Sequence, residues 1–153
     1  MNYYSNQNVG NNQKQNQNED KKEIIKSDWI NNGITKEAVE WAKKFGEELA
    51  KDDDKGYKKL TTSQLRKFFG HLKRIQAVGF DKNNKTDLYM LKAQLAYANG
   101  RDKKEGGKNK TKICYFAETL SSAIDFIETK EHFKNFVNVV EAIVAFHKAA
   151  GGE

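Results

Sequence analysis

No proline occurs anywhere in the 153 residues, and this absence constrains the fold more than any other single feature. Proline removes a backbone N–H and clashes with the preceding turn, so a chain without it can sustain long uninterrupted helices. Apolar residues recur at the matching three- and four-residue spacing. Ala38, Trp41, Ala42, Phe45 and Leu49 predict a first helix, with Thr35 as its N-cap and Glu37 in its first turn. Ile25, Trp29 and Ile30 precede it and fit a short helical turn. Thr61-Thr62-Ser63-Gln64 reads as a capping box that opens a second helix. Its stripe is Leu65, Phe68, Phe69, Leu72 and Ile75, and Gly79 ends it.

A third helix is expected from Thr86 to Asn99, stopped by Asn99-Gly100. It carries two stripes, Leu88/Leu91/Leu95/Ala98 and Met90/Ala93/Tyr97, which mark it as the central helix. Ile113, Ala117, Leu120, Ile124 and Ile127 give a fourth helix. After a break near Thr129, Phe133, Phe136, Val137, Val140, Ile143 and Val144 give a fifth, ending before Gly151-Gly152. Val139-Val140 and Ile143-Val144 are β-branched, but their spacing holds for over four turns, which favours helix. No segment alternates with period two for long. The expected fold is an all-α compact bundle of about five helices.

With 37% hydrophobic residues, the chain has apolar material for one core. The expected domain is residues 24–153. Residues 1–23 are read as a disordered tail, because an Asn/Gln-rich tract buries too little surface to offset its ordering entropy. No window resembles a spanning helix. The first 25 residues lack the apolar centre of a secretory signal, so a cytoplasmic protein with no membrane partner is expected. The single cysteine, Cys114, excludes a disulfide framework and multi-cysteine zinc motifs.

Charge is segregated along the chain. Residues 58–112 carry fifteen basic and four acidic groups, a net +11 that exceeds the +6 of the whole chain. Solubility alone requires no such concentration. On the second helix, at 100° per residue, Arg66, Lys67, Lys73 and Arg74 surround Gly70 on the arc opposite the apolar stripe. An arginine fork, a mobile ammonium and a position without a side chain suit a phosphate backbone. An ordinary solvated helix face is the competing reading. It predicts acidic residues mixed in, whereas Lys58 to Arg74 contains six basic residues and no acidic one. Arg101, Lys103, Lys104, Lys108, Lys110 and Lys112 form a second cluster in a segment read as a flexible loop, able to wrap nucleic acid or to serve as a solvated linker. Basic residues and exposed aromatics do not alternate, so the predicted contacts are to phosphate and sugar without sequence preference. Tyr57, Tyr89, Tyr97 and Phe116 are read as core or interface residues.

Catalysis finds no constellation. His71, His132 and His147 form no His-Glu-x-x-His pair, and Gly106-Gly107-Lys108 lacks the phosphate-loop spacing. His147 reads as a helix-dipole partner and Cys114 as a small buried residue. No enzyme activity, catalytic residue, metal or cofactor is expected.

Three blocks, in order, resemble a known family. They are Leu60-Thr61-Thr62-Ser63-Gln64-Leu65-Arg66-Lys67-Phe68-Phe69, then Leu91 to Arg101 (LKAQLAYANGR), then Phe133-Lys134-Asn135-Phe136-Val137 leading through Glu141–Lys148 to Gly151-Gly152. Together they are similar to the small α-helical subunit of type III-A CRISPR interference ribonucleoproteins, the Csm complex. The Asn/Gln tail and Phe146, where tyrosine is common, depart from the pattern without touching the basic face. The resemblance implies a non-catalytic subunit of an RNA-guided antiviral effector, stacked in several copies beside backbone and large subunits. It would contact the guide RNA and target RNA through their backbones, with Ser63, Gln64, Arg66, Lys67 and Arg101 in the matching blocks. A protein–protein scaffold and a stand-alone helical nucleic-acid-binding protein are the alternatives from the residues alone.

Overall fold

The computed structural model describes residues 24–81 and 83–152; the expected polar tail, residues 1–23, lies outside them. Six helices follow in order: α1 (Ser27–Asn31), α2 (Lys36–Leu49), α3 (Thr62–Val78), α4 (Lys85–Arg101), α5 (Ile113–Ile124) and α6 (Lys130–Ala149). The fold is all-α. The turn expected around Trp29 is α1, which buries Trp29 and Ile30.

Local chemistry fixes the helix starts. The Thr35 hydroxyl accepts from the Ala38 N–H at 3.1 Å. The Thr61 hydroxyl accepts from the Gln64 N–H at 3.2 Å, and the Gln64 side chain accepts from the Thr61 N–H at 3.0 Å, completing the capping box. Thr129 caps α6 through the His132 N–H. Gly79 ends α3 at φ 94°, a left-handed conformation that disfavours a side chain.

The central helix is α6, not α4. It packs against α1, α2 and α3, and Phe133, Phe136, Val137, Val139, Val140 and Ile143 are all buried. Gly46 permits the close crossing of α2: a Cβ there would lie 2.8 Å from the Ile143 carbonyl oxygen and 2.9 Å from the His147 nitrogen. By contrast, α4 buries its Leu88/Leu91/Leu95 stripe, with Ala98 packed beside it, and lies against α3 and α5. Its second stripe is not covered among the described residues and leaves Met90 52% and Tyr97 65% exposed. Nor does Asn99-Gly100 stop α4. The helix runs on to Arg101, and the Asp102 N–H closes it on the Ala98 carbonyl.

The segment after α4 is a hydrogen-bonded hairpin. Lys104 N–H donates to the Lys108 carbonyl at 2.8 Å, Gly107 N–H to Lys104 at 3.0 Å, and Lys110 N–H to Asp102 at 3.1 Å. Its base is tied to the segment before α3: Lys58 N–H donates to the Lys110 carbonyl and Lys112 N–H to that of Lys58.

Candidate nucleic-acid interface

Because the apolar stripe of α3 faces the core, its opposite arc must face solvent. Arg66, Lys67, Gly70, Lys73 and Arg74 lie on that arc, and all five are exposed. Among the described residues, none of the four cations pairs with a carboxylate. Lys73 Nζ donates to Gln76 at 3.0 Å and lies 5.5 Å from the Phe69 ring centroid, so it stays available at the surface. Around Gly70 there is open space: beyond the backbone of its own helical turns and its chain neighbours, no heavy atom lies within 4 Å of where a Cβ would stand. The face is a set of unneutralised cations about a point of free access.

A groove of about 640 Å³ runs between α3 and α4. Lys67 and Arg101 both line it, so the fold brings one residue from each basic cluster together. Arg101 is exposed and without a carboxylate partner among the described residues. A smaller hollow of about 150 Å³ continues along the same helices past His71 to Arg74. Tyr97 and Met90, the first read from sequence as a core or interface residue and the second as part of a buried stripe, form part of the groove wall.

The hairpin divides its lysines. Lys103, Lys104, Lys108 and Lys110 are exposed. Lys108 Nζ is partly engaged, donating to the Lys55 carbonyl at 2.7 Å and lying 5.1 Å over the Tyr57 ring. Lys112 is different. Its side chain is 2% exposed, and Nζ donates to the Glu48 carbonyl at 2.7 Å, with the carboxylates of Glu48 and Asp53 at 3.9 and 4.0 Å. It therefore anchors the hairpin's end to the C-terminus of α2 and is removed from the exposed basic set. Gln64 links the two clusters, donating to the Thr111 hydroxyl at 3.3 Å.

The residues suspected of chemistry have structural occupations. His147 is buried rather than an exposed dipole partner, its Nε2 2.6 Å from the Leu60 carbonyl. Burial lowers its pKa, opposed by that hydrogen bond and aided by Lys148 and Lys59. The Nε2–H therefore donates from a neutral ring. Gly152 lies close against this ring, and its carbonyl accepts from the Thr62 hydroxyl at 2.9 Å. His132 Nδ1 accepts from the Glu128 N–H. Cys114 is half-buried, and burial raises its thiol pKa, disfavouring the thiolate.

No helix among the described residues is long and apolar enough to cross a membrane. No curated protein and no solved structure matches the chain. The family model Csm2 Type III-A matches residues 34–153, which takes in α2 through α6 with the capping box, the basic face, the groove and the His147–Gly152 contact. The chain belongs to the Csm2 Type III-A family, the small subunits of type III-A CRISPR complexes.

Proposed function

We propose that this subunit grips the backbone of the guide–target RNA duplex, or of the target strand, without reading sequence and without catalysing a reaction. Within the complex it would sit beside backbone and large subunits and neighbouring copies of itself. Guide pairing supplies recognition in such an assembly, so a contact that ignores the bases is what the task requires. The observation that carries the reading is the outer arc of α3, where Arg66, Lys67, Lys73 and Arg74 surround Gly70 with no carboxylate partner among the described residues. Arg101 and the exposed hairpin lysines Lys103, Lys104, Lys108 and Lys110 extend the same positive surface.

The test is replacement of Arg66, Lys67, Lys73 and Arg74 together by Glu. All four lie on the arc away from the core, so the helical circular dichroism should be retained while RNA binding is abolished. In the unaltered protein, affinity for a single strand should fall with salt at a log–log slope of about −0.7 per phosphate neutralised. Unchanged affinity in the Glu variant would overturn the reading.

A further inference from the structure

We propose that the groove between α3 and α4 holds one unstacked nucleobase of single-stranded RNA, a site that rests on the backbone-binding reading above and adds a base contact to it. The groove is amphipathic in the way a nucleotide is. Its floor is apolar, built from Phe68, Leu95 and Ile113, all buried. Tyr97 and Met90 stand exposed at its side, an aromatic face and a thioether. Its volume, about 640 Å³, lies within the range of about 300–1,000 Å³ of sites that hold a small molecule.

Two polar features mark what the occupant must supply. Gln94 lines the groove, and its Oε1 is buried with no hydrogen-bond partner among the described residues. A buried acceptor left unpaired is costly, so the Gln94 side chain gains by turning its amide out into the groove to meet an N–H donor from the occupant. Lys67 and Arg101 on the rim call for negative charge. Asp102 also lines the groove, but its Oδ2 already accepts from the Thr111 N–H at 2.9 Å and from Asn109 Nδ2 at 3.2 Å. An RNA nucleotide meets all three demands: a flat apolar ring against Tyr97, an N–H toward Gln94, and flanking phosphates at Lys67 and Arg101. The site tolerates sequence, because every base has a π-face and each of the four carries at least one N–H on its pairing edge. Past His71 the hollow continues between Arg74 on α3 and Asp87 on α4, so the next phosphates follow its α3 side.

The test uses the full chain and a short single-stranded RNA, beside the same strand with abasic sites in place of its bases. The abasic strand keeps every phosphate, so it should bind about tenfold more weakly, the contribution of one stacked base. Tyr97→Ala and Gln94→Leu should each weaken the base-bearing strand and narrow the difference between the strands, with the salt slope unchanged. Tyr97 is exposed and the Gln94 amide oxygen is unbonded, so neither variant endangers the fold. If both strands bind equally and Tyr97→Ala changes nothing, while the α3 Glu variant still loses RNA, the base site is overturned and the backbone reading stands. If Tyr97→Ala instead disrupts only association with a second copy or a partner protein, the groove is a protein-docking surface and the base site is again overturned. If neither strand binds the unaltered protein, the backbone reading itself fails.

Discussion

At the residue scale, His147 shows how a histidine near a helix end becomes part of the core. The Leu60 carbonyl takes its Nε2–H, and Gly152 packs so closely on the ring that a Cβ would stand 2.0 Å from Cε1. Burial lowers its pKa from the ordinary 6.5. An unfolded chain binds a proton here as pH falls past about 6.5, while the folded chain resists until a lower pH. This contribution to stability is present in full above about pH 6.5 and is lost as the pH falls through the depressed folded value. Urea midpoints measured from pH 7.5 to 5.5 should therefore fall, and His147→Gln should flatten that decline. Equal slopes in the two proteins would contradict the assignment. The burial itself was not legible in sequence, because a histidine in the last turn also serves a helix dipole at the surface. Only the long-range contact with Leu60 decides between the two places. Lys112 is concealed for the same reason: its spacing in a lysine-rich run matches its exposed neighbours, and the Glu48 carbonyl that receives it lies far away in sequence.

At the element scale, two glycines in helices have opposite meanings. Gly46 on α2 is required by packing, since α6 leaves no room for a Cβ. Gly70 on α3 meets nothing within 4 Å beyond the backbone of its own turns and its chain neighbours, so the isolated fold gives no reason for a residue that weakens a helix interior by about 0.5–1 kcal/mol relative to alanine. Close approach of a partner supplies one. Gly70→Ala should raise the stability of the isolated protein by about that amount in denaturant melts, yet weaken its RNA binding. A variant that is both more stable and equally tight would show that nothing approaches α3 at this point. The starts of α2 and α3 were readable because each begins with a threonine cap whose partner lies three residues on, whereas Thr129, read only as a break, caps α6 in the same way. The role of α4 was not. Two apolar stripes predict a helix covered on both sides, and periodicity cannot distinguish a stripe awaiting a core from one awaiting a ligand or a neighbour. Met90, Ala93 and Tyr97 share their arc with Gln94 and Arg101, polar company that a core-facing stripe seldom keeps.

At the scale of the whole molecule, the segregation of charge along the sequence becomes segregation in space. The segment with a net charge of +11 supplies α3, α4 and the hairpin, while the acidic excess falls on the segments that supply α1, α2, α5 and α6. A flexible basic loop would lose chain entropy on meeting RNA, whereas a hairpin already closed by backbone hydrogen bonds loses less. The hairpin should accordingly act as a fixed arm whose exposed lysines each add to the salt dependence. Replacing Lys103, Lys104 and Lys110 with Gln should shrink the log–log slope by about 0.7 for each phosphate no longer neutralised, with the urea midpoint unchanged. Lys112→Gln should do the reverse. Removing an ammonium-to-carbonyl bond from the interior costs roughly 1.5–3 kcal/mol, so the urea midpoint should fall while the salt slope of the folded protein holds. The pair of measurements separates a lysine that meets the ligand from one that holds the arm in place. A reduced slope at full stability for Lys112→Gln would put that residue back on the binding surface and undo the division of the hairpin into gripping and anchoring lysines.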